Sequence, residues 1–293
     1  MVPLAGCATE EIVPEAYVAT NAWDAYRRGL QDAGLAGTAL GTDWRQAADA
    51  ALASPSEIRL PHEDRGSFDE RQASAFGYRF AVARGQRVEV GLALAAPTPR
   101  VFLDVFRIRE DEPRVHVASA DEESRRLVFE PRRDADYLLR VQPELLRGGD
   151  FELRVQVSPS LGFPVADHDA GDIQSPFGAE RDAGRRSHHG VDIFAPRGTP
   201  AVAATRAYVR RVREQGLGGL TVWLHDRERN LHLYYAHLDE QLVEAGDWVE
   251  AGDIVGRVGN TGNARTTPPH LHFAIYADGQ GPIDPDPFLR ETR

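Results

Sequence analysis

From about residue 66 to residue 157 the apolar side chains recur at every second position, and no other pattern limits the fold of this chain so tightly. Phe76, Tyr78, Phe80 and Val82 alternate with smaller or polar residues, as do Val88, Val90, Leu92 and Leu94, and then Val101, Leu103 and Val105. Tyr137, Leu139 and Val141 repeat the pattern, and Phe151, Leu153, Val155 and Val157 close it. Successive side chains on a strand point to opposite faces, so each run describes a strand with one buried and one wet face. Several such runs separated by Gly, Pro and Asp turns predict an antiparallel β-sandwich over residues 58–157.

Upstream the period is helical. Pro14 suits a first helical position, and Ala19, Trp23, Tyr26 and Leu30 recur at steps of four, three and four, which gives one apolar stripe. Gly34 and Gly37 interrupt it, and Thr42 is expected to cap a second helix that carries Trp44, Ala48 and Leu52 and ends before Pro55. Residues 1–57 are therefore expected to be a tail and two short packing helices. The only cysteine is Cys7, which excludes an internal disulfide and a cysteine-rich metal site. Leu4-Ala5-Gly6-Cys7 resembles the lipobox of bacterial lipoproteins and implies a lipid on Cys7 and a place in the cell envelope. The residues before Cys7 are too few for the ~7–15 apolar residues of an export signal, so no complete signal is expected there. No other stretch approaches the ~20 apolar residues of a membrane helix, so any membrane attachment is expected through lipid.

At 293 residues and 42% apolar, the chain can fill the cores of roughly two domains. A net charge of -11 opposes the clustered positive field that nucleic acid requires. Residues 158–176, with Pro159, Gly162, Pro164, Gly171, Pro176 and interspersed aspartates, lack sustained periodicity and read as a linker to a final domain over 177–293.

That final segment carries the candidate chemistry. In Ser187-His188-His189-Gly190-Val191-Asp192-Ile193, glycine followed by β-branched residues argues for a turn entering a strand. Such a turn can fold His188 back toward Asp192, so that both meet one ion. His189 is one residue off and is expected to point away. His270-Leu271-His272, before Phe273-Ala274-Ile275-Tyr276, reads as a strand that puts both imidazoles on one face. One of them can then bind a metal while the other stands beside a bound water. Pro268 and Pro269 stiffen the approach. His237 ends an apolar run from Leu231 and, alone, reads as a structural residue. Zinc accepts imidazole nitrogen and carboxylate oxygen, and a catalytic centre uses three protein ligands and leaves a position for water. His188, Asp192, His237, His270 and His272 supply three ligands and two spare histidines for one Zn2+ per chain. His225 is expected at the surface or beside the pocket, His232 has alternation consistent with either face, and His62, His116 and His168 have no metal-like context.

Taken together and in order, His188-x-Gly190-Val191-Asp192, Tyr235-x-His237-Leu238 and His270-Leu271-His272-Phe273 resemble the lysostaphin-type, or LytM-like, zinc endopeptidases. Phe177-Gly178, Ala195-Pro196-Arg197-Gly198-Thr199-Pro200, Gly246-Asp247-Trp248-Val249, Gly252-Asp253-Ile254-Val255-Gly256 and Gly259-Asn260-Thr261-Gly262 extend the similarity over about residues 172–288. The resemblance implies a compact antiparallel β domain that cleaves peptide bonds of bacterial peptidoglycan. It also implies that His188, Asp192 and His272 bind zinc, while His237 and His270 are catalytic without being ligands. His270 is then expected to take a proton from water and His237 to stabilise the oxyanion or protonate the leaving amine, and the two roles could be exchanged. Ala274 stands where the family usually has an acidic residue, and Thr266-Thr267-Pro268-Pro269 is less glycine-rich than the family pattern. The middle region resembles the pre-peptidase C-terminal jelly-roll domains of secreted peptidases.

The expected function is a periplasmic endopeptidase acting on D-alanyl to diaminopimelate crosslinks, the bond favoured by the arginine-rich composition over a glycine bridge. A non-catalytic peptidoglycan-binding or hydrolase-activating protein is the alternative, and the filling of all five positions argues against it. Gly246 to Asp253 also resembles the hairpins of lipoyl and biotinyl carriers, which attach their cofactor to lysine. All 34 basic residues here are arginine, so that reading fails. The sequence leaves oligomeric state open.

Overall fold

The computed structural model describes residues 21–95, 100–109, 113–120, 125–181, 184–214 and 216–291. Cys7, Pro14 and Ala19 lie outside the described residues. The architecture is mainly β, and among the described residues no helix is long and apolar enough to cross a membrane.

Helix α1 (Ala22–Asp32) and helix α2 (Ala39–Ala53) precede the strands. The cap of α2 differs from expectation: the Gly41 N–H donates to Thr38 Oγ1 at 3.3 Å, and Thr42 lies inside the first turn. Both residues are threonines in capping range, and the one with extended backbone wins because an N-cap must sit outside helical φ/ψ. Trp23 stacks on Trp44 at 5.2 Å, and the Trp44 indole N–H donates to the Pro143 carbonyl at 2.9 Å. The helices are thereby fastened to the sheet beneath them.

That sheet belongs to a sandwich of nine strands: β1 (Ser56–Glu57), β2 (His62–Phe68), β3 (Phe76–Val82), β4 (Gln86–Leu94), β5 (Val101–Ile108), β6 (Val115–Ser119), β7 (Arg126–Phe129), β8 (Ala135–Pro143) and β9 (Gly149–Pro159). One sheet has the order β1-β3-β8-β5-β6 and the other β2-β9-β4-β7. Only the short β1–β3 pair is parallel among their ladders. The predicted alternation fills the space between the sheets: Tyr78, Phe80, Val88, Val90, Leu103, Val105, Leu139, Val141, Leu153 and Val155 are all buried. Strand β5 is buried on both faces, because Phe102 packs under Trp44 and Leu30 of the helices.

Twelve further strands follow: β10 (Ile173–Ser175), β11 (Glu180–Arg181), β12 (Arg186–Ser187), β13 (Val191–Phe194), β14 (Pro200–Val202), β15 (Ala207–Arg213), β16 (Leu220–Asp226), β17 (Leu231–Gln241), β18 (Trp248–Val249), β19 (Ile254–Val258), β20 (His270–Ala277) and β21 (Gly281–Ile283). A ten-stranded sheet runs β10-β13-β20-β17-β16-β15-β18, with β19 on β17, β14 on β19 and β21 on β20. Strand parity decides what each face carries. Val191, Ile193, Val222, Leu224, Leu233, Tyr235, Leu271, Phe273 and Ile275 form the core on one face. Asp192, Phe194, Trp223, Tyr234, His270, His272 and Tyr276 fall on the other, which borders a cleft.

The segment read as a linker is built into this second core. Leu161 and Val165 are buried in it, the Gly162 N–H donates to the Ala204 carbonyl at 2.7 Å, and residues 173–175 are the edge strand β10. Its apolar residues are too few to give a period, yet two well-placed ones suffice to anchor it. Across the junction with the sandwich, Arg229 makes a bidentate pair with Glu130 at 2.7 and 2.8 Å.

Candidate metal centre and cleft

His188 reaches the cleft from the turn between β12 and β13, as the glycine signal predicts. Gly190 is required there: a Cβ on it would lie 2.4 Å from the Phe273 carbonyl oxygen and 3.0 Å from His272 Cε1. The same turn passes against Ala274, whose Cβ would be 2.9 Å from that atom. Only small residues at 190 and 274 allow the His188 turn to lie so close to β20.

Asp192 on β13 sits directly opposite His272 on β20, and Phe194 sits opposite His270. His188 Nε2 is 3.0 Å from Asp192 Oδ1 and 3.0 Å from His272 Nδ1, and His272 Nδ1 is 2.9 Å from the same oxygen. The three atoms make a nearly equilateral triangle. Among the described residues these side chains offer one ligand atom each, all within 4.8 Å of one another. Donor atoms on a tetrahedral zinc ion with ~2.0–2.1 Å bonds stand about 3.3 Å apart, so the triangle is the right size.

Hydrogen bonding makes the donor set right as well. A carbonyl only accepts, so the contact of His188 Nδ1 with the Pro176 carbonyl at 2.9 Å puts the ring proton on Nδ1 and leaves a lone pair on Nε2. A bare His188 nitrogen and the Asp192 oxygen 3.0 Å away repel unless a cation or a proton lies between them. Burial alone would raise the Asp192 carboxyl, but the two imidazoles set against it, His188 and His272, outweigh burial and hold the group well below the usual carboxylate range. Burial, with the neighbouring His188 and His270 charges, lowers His272 despite its bond to Asp192. Both residues are thus held in the form that ligates metal. The carboxylate's other oxygen, Oδ2, accepts from Arg181 Nη2 at 2.8 Å, a partner that nothing in the sequence announced.

His270 and His237 stand beside the triangle. His270 Nδ1 donates to the Pro268 carbonyl at 2.9 Å, its ring stacks on Phe194 at 5.0 Å, and its Nε2 is 3.9 Å from Asp192 Oδ1. His237 is the residue that strand parity misplaces. Counting from Tyr235, it should face the core. Instead, three steps on β17 oppose two on β16 between Tyr235 and Leu238, and His237 takes φ +62°. This β-bulge turns the imidazole back into the cleft, 5.1 Å from the His270 ring. Its amide donates to the Gly218 carbonyl at 2.8 Å and its Nδ1 to the Thr261 carbonyl at 2.9 Å. Burial, followed by the His272 and His270 charges, pushes the His237 pKa down to about 4.

All five predicted side chains therefore line one cleft of about 870 Å³. His189 is exposed on its rim and outside the triangle. His225 and His232 stack on each other at 4.5 Å, one strand pair away, and His232 Nε2 lies 3.2 Å from Asp278.

Residues 186–285 match Peptidase family M23. An L-Ala--D-Glu endopeptidase of Bacillus subtilis is 33% identical over 139 residues, 44% of this chain and 42% of that protein. A peptidoglycan DD-endopeptidase of Vibrio cholerae, ShyC, is 36% identical over 95 residues, 32% of this chain and 21% of that protein. The chain thus spans less than half the length of these two relatives. The solved catalytic domain of lysostaphin from Staphylococcus simulans is 32% identical, covering 40% of this chain and 88% of that one with a TM-score of 0.36.

Proposed function

We propose that this chain, whose residues 186–285 form a peptidase family M23 domain, is a zinc-dependent endopeptidase that hydrolyses peptide crosslinks of bacterial peptidoglycan. The observation that carries the reading is the triangle of His188, Asp192 and His272, with two further imidazoles directed into the same cleft. In this reading those three residues hold one zinc ion, and His270 and His237 act without binding it. Residues 58–157 are an accessory sandwich, and 158–176, packed into the second core through Leu161 and Val165, join it to the peptidase unit of 177–293.

Zinc bound there supplies a lowered water pKa, toward ~7, and polarisation of the scissile carbonyl. The chain's own groups move the protons. His270, with its Nδ1 proton committed to Pro268 and its ring held by Phe194, presents Nε2 as a base for the water's proton. His237 has its Nδ1 proton committed to Thr261 and a pKa near 4, so at neutral pH it too presents a lone pair. A lone pair cannot donate to an oxyanion. Either role asked of His237, oxyanion donor or proton donor to the leaving amine, therefore requires that its Nε2 first take a proton, and His270, with its ring 5.1 Å away, is the neighbouring group that receives one from water. As the carbon–nitrogen bond breaks and the new carbon–oxygen bond forms, the proton taken from water ends on that amine.

Among crosslinks we favour the D-alanyl to diaminopimelate bond, in line with the activity that the Vibrio relative's name states. The substrate places the protein outside the cytoplasm, and Cys7 is the candidate lipid anchor. Digestion of defined muropeptides, with products weighed by mass spectrometry, tests the reading. Cleavage that stops on chelation and returns with zinc is expected. Full activity after exhaustive chelation would remove zinc from the proposal, and zinc-loaded protein that cuts no peptide bond would favour the wall-binding alternative.

A further inference from the structure

The cleft face of the large sheet does not end at the metal centre. Tyr234 lies edge-on to His272 with ring centroids 5.9 Å apart, Trp223 leans on Tyr234 at 4.4 Å, and Tyr276 lies 5.2 Å from Trp223. Register explains the cluster: Trp223 is opposite Tyr234 on β16 and β17, and Tyr234 is opposite Ala274 on β20, so the small alanine leaves room for large rings around it. The opposite face of the same three strands is fully packed by Leu224, Leu233 and Ile275, yet these three rings stay half-buried. Tyr234 and Tyr276 line the cleft that holds the metal triangle. Beyond them the stacked His225 and His232, with Asp278 on His232, put hydrogen-bonding groups at the far end.

We infer that Trp223, Tyr234 and Tyr276 form a shelf that binds a pyranose ring of the glycan strand carrying the scissile peptide. The axial C–H bonds of a pyranose present a flat, slightly positive apolar face, which complements the negative face of an aromatic ring, while its equatorial hydroxyls need polar partners at the edge. The shelf and its imidazole and carboxylate rim supply both. Gly218 lets the loop before β16 close on Tyr234, since a Cβ there would lie 2.0 Å from the phenol oxygen. The ring is thus fixed before any ligand arrives, which lowers the cost of binding. From His272 to Tyr276 is four residues of strand, about 13 Å at ~3.3 Å per residue. An extended peptide of about four residues covers the same distance. One substrate can therefore rest its sugar on the shelf and its scissile bond at the metal centre.

This inference rests on the endopeptidase reading, and its test separates the two. The full chain is titrated with the trimer of N-acetylglucosamine while tryptophan fluorescence is followed, and kcat/KM is measured on a crosslinked muropeptide with and without its sugars. Saturable binding is expected, weakened at least tenfold in Trp223→Ala and in Tyr276→Leu, which keeps apolar cover but removes the flat ring. The ratio of kcat/KM for sugar-bearing over sugar-free substrate is expected to fall at least tenfold in both variants, with thermal unfolding as the control for folding. No sugar binding by the wild type, an unchanged ratio, or equal losses on both substrates would overturn the shelf, the last by making it a peptide site or a structural patch. If the wild type cuts neither substrate, the endopeptidase reading falls and the sugar titration alone decides.

Discussion

Asp104 in the sandwich and Asp192 in the cleft are both buried carboxylates, 1% and 9% exposed, and their partners could hardly differ more. Asp104 accepts from Arg140 Nη2 at 2.7 Å and from Ser119 Oγ at 2.5 Å, and Arg140 in turn lies under the Trp23 ring at 3.9 Å. Its charge is answered by a permanent cation inside the protein. Asp192 has an arginine on one oxygen only, and its other oxygen shares a space with two imidazole nitrogens, of which His188 has its far nitrogen bonded to the Pro176 carbonyl. A closed pair completes its charge inside the domain, whereas a pair left open toward imidazole nitrogens has room to take up a cation from outside.

The widest expected contrast comes from removing each carboxylate. Asp192→Ala is expected to lose bound zinc by elemental analysis and to lower turnover roughly 1,000-fold or more, the several kcal/mol a Lewis acid contributes. Asp104→Ala leaves Arg140 buried and unpaired, and should cost about 3–5 kcal/mol in denaturant unfolding with zinc content unchanged. Zinc loss in the sandwich variant alone would break the comparison.

Within the cleft the same logic separates ligand from base. His272→Ala should lose zinc and turnover together, whereas His270→Ala should keep zinc and lose about 10²–10⁴-fold in kcat. Retained zinc in the first variant would refute the ligand assignment.

What the sequence made legible follows the same division. Parity on β20 puts His270 and His272 on one face, as expected of a regular strand with a period of two, and the turn before β13 brings His188 back to Asp192. Parity could not have found His237, where a bulge adds a residue, and only the company of the other motifs pointed to it. Strand β2, His-Glu-Asp-Arg-Gly-Ser-Phe, escaped notice because its alternation buries chiefly its last residue, and β5 looked half-wet until the helices covered it. The carbonyls of Pro176, Thr261 and Pro268 that fix three imidazoles carry no side-chain signal at all, since any residue has a carbonyl. Arg181 lay outside every motif weighed.

A smaller effect should appear in the pH dependence of chelated protein. His237 has a folded pKa near 4 against 6.5 unfolded, so between these values the unfolded chain holds a proton that the folded one does not. Stability is then complete above about pH 6.5, falls by up to about 3 kcal/mol as the pH drops toward 4, and levels off below. His272 is lowered in the same direction and adds to the same window. His237→Asn, which tolerates the left-handed backbone, should remove part of that slope in urea titrations. An unchanged slope would mean that the imidazole is not desolvated. Asp104, whose carboxyl is lowered, acts in the opposite window: its contribution is present above the unfolded carboxylate pKa and is lost only as the pH falls below it.

The smallest expected effect sharpens the comparison most, because it sets one arginine against the other. Arg181 draws charge from Asp192, which weakens the carboxylate as a donor, but it also holds Oδ2 so that Oδ1 turns toward His188 and His272. Its side chain is 33% exposed against 5% for Arg140, so water screens the first effect, and the orienting effect should win. Arg181→Gln is therefore expected to weaken zinc binding about 10–100-fold in chelator competition, the usual cost of losing a group that orients a ligand, while shifting unfolding little. Arg140→Gln should do the reverse, since it strands Asp104 in the sandwich. If Arg181→Gln holds zinc within about twofold of the wild type, the strands alone aim Asp192 and the arginine is a surface pair that touches it.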